Sequence, residues 1–265
     1  MRRLRNRVLL SLFSLSLLAL TANNASAVVL DWSTVTWTPG ALPNSYDVDP
    51  SSAGNDLTVT IGGDTNKLKP DPTTFIQTPT IDSTMEGGMS PVQKSLDLAM
   101  KITTPNFISV TVAFSPQYSE GVNNVSFSIF GINMGSGTGT ITNIYAVGTD
   151  GTTLIPAIIT NLGVNVQLSG SGLSQVLTGI GNSPNGGPGS DAGNATISFG
   201  TTAIQSFSFR YENGTTGSWD SQIAVSNISF APVPEINPGL SAAGACFIGL
   251  GAMLLRSCGR RETSR

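Results

Sequence analysis

Three carboxylates stand close together near the start of the chain, in the stretch YDVDPSSAGND. Asp47, Asp49 and Asp56 fall within ten residues, and carboxylate oxygens are ligands that calcium prefers. The stretch does not follow the EF-hand pattern, because no glutamate stands at the twelfth position. The sequence therefore offers two interpretations of these residues: a structural calcium site and a solvated acidic loop.

Three tryptophans, Trp32, Trp37 and Trp219, are the second candidate site. Exposed aromatic rings are what sugar-binding modules stack against their ligands, so each of these residues is a candidate ligand-stacking side chain. The alternative is ordinary burial in a core. Trp32 and Trp37 are five residues apart and would face opposite sides of a regular strand. We therefore expect at least one of these two to lie in the core.

Several common catalytic chemistries are excluded by residue type. The chain has no histidine, and Cys246 and Cys258, its two cysteines, lie close to its end. The preceding region thus cannot hold a Ser-His-Asp triad, a cysteine nucleophile or a zinc site with histidine or cysteine ligands. It cannot form an internal disulfide either, so its stability must come from packing and hydrogen bonds.

Carboxylates are the groups that remain for catalysis. Residues 28–235 contain fifteen Asp and Glu against five Lys and Arg, a net charge of −10. Such an acidic body argues against nucleic acid as a partner. A glycosidase needs two carboxyl groups facing each other across a cleft, but no motif marks such a pair here. A secreted, carboxylate-dependent, glycosidase-like hydrolase is therefore the alternative to a non-catalytic binding protein.

The elements that would position these residues are β-strands. Apolar residues alternate with Ser, Thr, Asn or Gln in many short runs, and Gly, Asn and Pro separate the runs. The runs are VVLDWSTVTW, DLTVTIG, LDLAMKI, FISVTVAF, NVSFSIFGI, ATISFG, IQSFSFRY and QIAVSNISF. The pattern predicts an all-β ectodomain over residues 28–231, an antiparallel, jelly-roll-like β-sandwich of nine to eleven strands.

The first 27 residues have the three parts of a signal peptide. Four arginines precede an apolar run of thirteen residues, Val8 to Leu20, and Ala25-Ser26-Ala27 is a small-x-small cleavage site. We predict export and cleavage by signal peptidase after Ala27. An uncleaved anchor is the alternative, but thirteen residues are short for spanning a bilayer.

The far end of the chain has a second apolar run. Pro238 to Leu255 are eighteen residues without a charge, which as a helix would extend about 27 Å. Arg256, Arg260 and Arg261 follow and would stop transfer on the cytoplasmic side. We predict one transmembrane helix at about 238–255 and an arginine-rich end at 256–265. A permanent membrane anchor would account for both.

The order of parts in residues 232–265 is more specific than a plain anchor. Val233-Pro234-Glu235, one apolar helix and a terminal arginine cluster resemble the PEP-CTERM sorting signal of Gram-negative bacteria that make extracellular polysaccharide. Ile236 stands where that family usually has proline. The resemblance implies processing by an exosortase-like enzyme, with the protein held in the inner membrane beforehand and at the cell surface or outside the cell afterwards.

These features together predict a destination and a class of function. We expect an exported, non-catalytic surface or extracellular-matrix protein that is sorted by its C-terminal signal. Extracellular polysaccharide is the ligand that the tryptophans suggest. Calcium is the one cofactor that the sequence suggests.

Overall fold

The computed structural model describes residues 26–102, 106–132, 142–181, 190–213 and 219–234. All of them except Pro234 belong to one compact unit, Ala25–Val233. A second unit comprises Met1–Asn24 and Pro234–Arg265, and only its Pro234 is described. The predicted cleavage residue Ala25, the transmembrane helix at 238–255, Glu235 and the stop-transfer arginines therefore lie outside the described residues.

The described residues form seventeen β-strands. In chain order these are β1 (Val28–Leu30), β2 (Pro43–Tyr46), β3 (Leu57–Gly63), β4 (Leu68–Lys69), β5 (Thr80–Asp82), β6 (Ser95–Ile102), β7 (Phe107–Phe114), β8 (Val122–Phe130), β9 (Thr142–Thr149), β10 (Leu154–Pro156), β11 (Ile158–Thr160), β12 (Val166–Ser169), β13 (Val176–Gly179), β14 (Ala195–Ser198), β15 (Ser206–Asn213), β16 (Trp219–Val225) and β17 (Ile228–Pro232). Two short 3₁₀ turns, Thr65–Lys67 and Gly172–Ser174, are their only helical elements.

The strands pair into two antiparallel sheets. The nine-stranded sheet runs β1-β17-β8-β16-β6-β4, with β14 on β8, β11 on β14 and β5 on β6. The eight-stranded sheet runs β12-β13-β9-β15-β7-β3-β2, with β10 on β9. Neighbours in a sheet are often far apart in the chain, so the register of the sheets determines which residues meet.

The alternation in the sequence explains how each strand is placed. In β15 the residues Phe207, Phe209 and Tyr211 are buried, whereas Arg210 is exposed. Successive side chains of a strand point to opposite faces, so β15 turns its rings inward and its polar side chains outward. The buried side of this alternation supplies the apolar surface that stabilises the fold.

Aromatic rings join the two sheets. Phe127 of β8 stacks on Phe207 of β15, with ring centroids 4.7 Å apart. Phe114 of β7 meets Phe230 of β17 at 5.0 Å. Each pair takes one ring from each sheet, so the core lies between two sheets packed face to face. This confirms the predicted all-β antiparallel sandwich.

Residues 83–94 cover part of the outer face of the nine-stranded sheet. Met85 packs there with Phe130 and Ala224 in a small second cluster. Gly87 has a φ of +60°, and a Cβ at this position would lie 2.3 Å from the Phe130 ring, so the close approach requires glycine. The cover buries polar side chains that the alternation alone would place in solvent.

Two details of the predicted fold are wrong. The strand count exceeds nine to eleven because several strands have only two to four residues, too short to show alternation. The run VVLDWSTVTW is a strand only as far as Leu30, because the Asp31 carboxylate accepts a hydrogen bond from the Ser33 N–H at 2.8 Å and forms a turn.

In the part of the chain that is described, no helix has the length and apolar character to cross a membrane.

Candidate functional site

Five side chains on three adjacent strands form a patch on the outer face of the eight-stranded sheet. In the register, Arg210 of β15 lies opposite Tyr145 of β9, and Glu212 lies opposite both Asn143 of β9 and Phe107 of β7. Residues two apart on a strand share a face, so all five project outward. We call Phe107, Asn143, Tyr145, Arg210 and Glu212 the aromatic–arginine patch.

Arg210 is held between two rings of the patch. Its guanidinium carbon lies 4.5 Å from the centroid of the Phe107 ring and 5.5 Å from that of the Tyr145 ring. Both distances are within the range of cation–π attraction. The guanidinium also forms an ion pair with the Glu212 carboxylate, while the Arg210 side chain stays 46% exposed. The cation is therefore fixed in position and open to solvent.

The other polar groups of the patch are also ordered by hydrogen bonds. The Thr178 hydroxyl lies 3.0 Å from Oδ1 of Asn143 and donates to it. Partial burial raises the pKa of Tyr145, and the hydrogen bond to Glu212 and its charge raise it further, against the opposing charge of Arg210. Tyr145 therefore keeps its hydroxyl proton at neutral pH. The patch presents two rings beside an amide, a hydroxyl, a carboxylate and a guanidinium.

One residue of this patch, Arg210, could have been recognised from the sequence, although it is not a tryptophan. Arg210 is the only basic residue between Lys101 and Arg256. It also stands at a polar position of the alternating run SFSFRYEN, which makes it an outward residue of a strand. Tyr145 lies in the run NIYAVGT, which does not alternate, and nothing in the sequence places β9 beside β15.

Trp32 and Trp37 are core residues. The Trp32 side chain has no exposed surface and that of Trp37 is 6% exposed. Their rings meet edge to face with centroids 6.5 Å apart. The prediction that they stack on a ligand is therefore wrong, because neither ring can be reached. Trp219 is the first residue of β16; its side chain lies outside the described residues, so its ligand-stacking role stays a prediction.

The loop of Asp47, Asp49 and Asp56 is closed by hydrogen bonds. The carboxylate of Asp56 is fully buried and accepts the backbone N–H groups of Val48 and Asp49 at 2.6 and 2.7 Å. It also accepts the Tyr118 hydroxyl at 2.6 Å. Asp47 is exposed. Protein donors engage both oxygens of Asp56, and among the described residues the three carboxylates of this loop do not converge as a group that could hold a metal ion. The geometry therefore favours a hydrogen-bonded loop over a calcium site at these three residues.

A different set of carboxylates does come together, under residues 83–94. Asp71, Asp82 and Asp97 each offer one oxygen, and these oxygens all lie within 4.8 Å of one another. Asp97 is on the outer face of β6, Asp82 ends β5, and Asp71 stands in the turn after β4. Asp71 and Asp97 have no exposed surface. We call these three residues the buried acidic cluster.

Hydrogen bonds satisfy some oxygens of the buried acidic cluster and not others. The Gln222 amide donates to Oδ2 of Asp97 at 2.8 Å and also to Oδ2 of Asp71. Oδ1 of Asp82 accepts the Thr84 N–H at 2.9 Å. In contrast, Oδ1 of Asp97 and Oδ2 of Asp82 are buried and have no hydrogen-bond partner among the described residues.

Two members of the buried acidic cluster, Asp97 and Asp71, have pKa values shifted in opposite directions. Burial raises the pKa of Asp97 well above its usual range, and the charges of Asp82 and Asp71 act in the same direction. Burial also acts to raise the pKa of Asp71, but hydrogen bonds from the Thr74 and Thr73 backbone and from Asp97 outweigh it and lower the pKa. The same cluster therefore raises the pKa of Asp97 and lowers that of Asp71.

Neither of two candidate carboxyl pairs resembles a glycosidase site. A cleft of about 240 Å³ is lined by Glu120 and Asp150, but hydrogen bonds from the Thr153 and Thr152 backbone lower the pKa of Asp150, whereas a general acid needs a raised pKa. Asp71 and Asp97 have separated pKa values but are fully buried. The hydrolase alternative is therefore not favoured.

Comparison with known proteins reveals distant likeness in fold only. No family model matches the chain, and no curated protein matches it. A carbohydrate-binding module that recognises mannan is 14% identical, covering 79% of this chain and 100% of its own, at a TM-score of 0.34. A family 27 module of Caldicellulosiruptor saccharolyticus, solved with mannohexaose, is 14% identical over 80% of this chain and 100% of its own, at a TM-score of 0.39. A family 11 module of Clostridium thermocellum, solved with a mixed-linked tetrasaccharide, is 12% identical over 80% of this chain and 99% of its own, at a TM-score of 0.30.

Proposed function

We propose that this protein is an exported, non-catalytic surface or extracellular-matrix protein that binds polysaccharide through the aromatic–arginine patch. The observation that carries the proposal is the arrangement of Phe107, Tyr145 and Arg210, two rings flanking an ordered and solvent-exposed guanidinium. A sugar ring has apolar C–H faces and a rim of hydroxyls. Rings beside fixed donors and acceptors match both features.

The charge of the patch indicates which polysaccharides it would take. Arg210 is paired with Glu212, so the patch carries little net charge. The surrounding body carries −10 over residues 28–235, which repels polyanions. Neutral glycans are therefore the class that we expect to bind, with hydroxyl groups reaching the amide of Asn143 and the guanidinium.

Replacing Tyr145 or Phe107 with alanine should weaken glycan binding by about tenfold or more, which corresponds to about 1.4 kcal/mol. Each change removes one of the two rings and also frees the guanidinium to move. The measurement is a glycan array with the full chain, followed by titration calorimetry on the best neutral glycan. Both residues are only partly buried, so folding should survive the changes.

The matched control for these variants is Phe75→Ala. Phe75 is 81% exposed and lies in the turn after β4, outside the aromatic–arginine patch. Its removal should leave glycan binding unchanged. Equal loss in Phe75→Ala and Tyr145→Ala would show that exposed rings act nonspecifically. Full binding by Tyr145→Ala would show that the patch is not the site.

We further propose that the chain reaches the cell surface as its two ends imply. Strand β1 begins at Val28, the first residue after the predicted signal cleavage, and β17 ends at Pro232, one residue before Val233-Pro234-Glu235. Pro234 is exposed. The Val233 N–H donates to the Gly121 carbonyl at 3.0 Å, so the folded body ends at the first residue of the strip that an exosortase-like enzyme would have to reach. The exposed Pro234 that follows supports the proposed sorting route.

Replacing Glu235 with alanine should block processing and leave membrane insertion intact, because the change touches the sorting motif and not the apolar helix. The measurement is a blot of membrane and released fractions in a strain that has the processing enzyme. Arg260→Ser with Arg261→Ser is the contrasting variant and should weaken the stop-transfer signal instead. Processing of Glu235→Ala at the parental rate would mean that the tail is simply an anchor.

A further inference from the structure

We propose that Asp71, Asp82 and Asp97 bind one calcium ion beneath residues 83–94, with Gln222 beside it. The site is independent of glycan binding, since these residues lie on the nine-stranded sheet and the aromatic–arginine patch lies on the other. It is also distinct from the acidic loop of Asp47, Asp49 and Asp56. Its role would be to hold residues 83–94 on the outer face of the sheet.

The charge of the cluster calls for a cation. Three carboxylates have oxygens within 4.8 Å of one another, and two of the residues have no exposed surface. Like charges this close repel strongly in a poorly solvated site. Within the described ranges, none of the three forms an ion pair with lysine or arginine. A bound divalent cation would supply the missing positive charge.

The unpartnered oxygens point to the same conclusion. Oδ1 of Asp97 and Oδ2 of Asp82 are both buried without a hydrogen-bond partner, although buried polar atoms in folded proteins are nearly always satisfied. The Asp97 side chain is fully buried, so an unmet oxygen there is costly. Each of these two oxygens has the lone pairs that a metal ion would accept, and the hydrogen bonds from Gln222 and Thr84 occupy only the other oxygen of Asp97 and of Asp82. Asp71 differs, because its Oδ1 accepts the Thr73 and Thr74 N–H groups and its Oδ2 accepts the Gln222 amide. It would coordinate the ion through Oδ2 once the Gln222 amide turns.

The ligand set favours calcium. All the donors are oxygens, which suits hard cations and excludes ions that prefer sulfur or nitrogen. Oxygens bound to calcium at about 2.3–2.6 Å lie up to about 4.6–5.2 Å apart across the ion, and the spacing of the cluster fits within that limit. Rotation of the Gln222 amide by half a turn would offer its oxygen as a further ligand, with waters completing the shell.

Calcium should raise the thermal midpoint of the full chain. The chain is stripped with EDTA, purified in mild detergent and melted with and without 10 mM calcium chloride. For a dissociation constant near 0.1 mM, which is typical of extracellular modules, we expect a rise of about 5–10 °C. Magnesium chloride at the same concentration should give a smaller rise, because magnesium requires shorter bonds and sheds water reluctantly.

Two variants and two controls assign the effect to the cluster. Asp82→Asn and Asp97→Asn should abolish the calcium-dependent rise. Asp97→Asn should still fold without calcium, because the amide has the same shape as the carboxyl group and removes one negative charge from the cluster. Asp47→Asn should keep the full rise, which excludes the acidic loop. Tyr145→Ala should keep it too, which separates this site from glycan binding.

Three outcomes would overturn the proposal. The first is a wild-type chain that shows neither a shift of its midpoint nor calorimetric heat at 10 mM calcium, which would mean that the cluster is neutralised by a proton. The second is an Asp97→Asn chain that keeps the calcium response, which would place the ion elsewhere. The third is loss of the response in Asp47→Asn alone, which would return the site to the acidic loop.

Discussion

Replacing Asp56 with alanine is expected to lower the free energy of unfolding by about 3–5 kcal/mol. The carboxylate is fully buried and accepts hydrogen bonds from two backbone N–H groups and from the side chains of Ser52, Gln117 and Tyr118. Each buried donor left without an acceptor costs about 1–3 kcal/mol. The change also creates a cavity too polar to collapse well.

The contacts of Asp56 explain why one residue has so large an effect. Its backbone bonds to Ser115 and Tyr46, both 2.7 Å long, survive the change to alanine, so the loss comes from the carboxylate alone. Gln117 and Tyr118 follow β7, whereas Val48 and Asp49 follow β2. The single carboxylate therefore joins the loop after β2 to the loop after β7. Losing the carboxylate should loosen both loops together.

The measurement is urea unfolding of the full chain in detergent, with two comparison variants. Asp47→Ala changes an exposed carboxylate of the same loop and should alter stability by less than about 0.5 kcal/mol. Asp56→Asn keeps one acceptor oxygen and should fall between the two. If Asp56→Ala were no less stable than Asp47→Ala, the hydrogen bonds would not stabilise the fold and a weakly held loop would be the better description.

The pH dependence of the same variant gives an independent check. Burial acts to raise the pKa of Asp56, but hydrogen bonds from Ser52, Tyr118 and the Asp49 and Val48 backbone outweigh it and hold the pKa below the usual 3.8. The unfolded chain then takes up the proton first as pH falls. The stabilisation is thus complete above about pH 5 and is lost as pH falls through 3.8 towards the native pKa. The difference between wild type and Asp56→Ala should shrink over that range.

The fold was predictable wherever a strand is long and has one polar face. In the sequence runs that form β6, β7 and β15, apolar and polar residues alternate over seven or eight positions. The structure has strands there because this alternation puts one row of side chains in the core. Strands of two to four residues, such as β4 and β10, carry too few positions for a period. They exist because a neighbouring long strand supplies the hydrogen bonds.

The sites were harder to predict because the sheets assemble them. Asp71, Asp82 and Asp97 are spread over 27 residues, and only the pairing of β5 with β6 brings the last two together. Asp97 occupies a polar position of LDLAMKI, where alternation alone indicates solvent. Its burial depends on residues 83–94 folding back over the sheet, which no local pattern reveals. Asp47, Asp49 and Asp56 are close in sequence, but sequence spacing does not reveal that the Asp56 carboxylate accepts hydrogen bonds from Val48, Asp49 and Tyr118.

Replacing Trp32 with alanine is expected to lower the free energy of unfolding by about 3–5 kcal/mol. The indole is fully buried and packs edge to face with the rings of Trp37 and Tyr46, at centroid distances of 6.5 and 6.0 Å. Its N–H donates to the carbonyl of Ser226 at 2.8 Å. The change leaves a cavity and removes the hydrogen bond between this ring and the turn after β16.

Trp32→Phe and Phe75→Ala separate the parts of this effect. Trp32→Phe keeps most of the apolar volume but has no hydrogen-bond donor. Its loss of unfolding free energy should therefore be smaller, and should come mainly from leaving the Ser226 carbonyl without a donor. Phe75→Ala removes a ring that is 81% exposed and should change stability by less than about 0.5 kcal/mol. The free energy of unfolding of natural domains is only about 5–15 kcal/mol in total. Differences of the expected size are a large part of that total, so urea unfolding at 25 °C resolves all three variants. If Trp32→Ala kept full stability and lost only glycan binding, the ring would be a ligand platform after all, and the core described around it would be wrong.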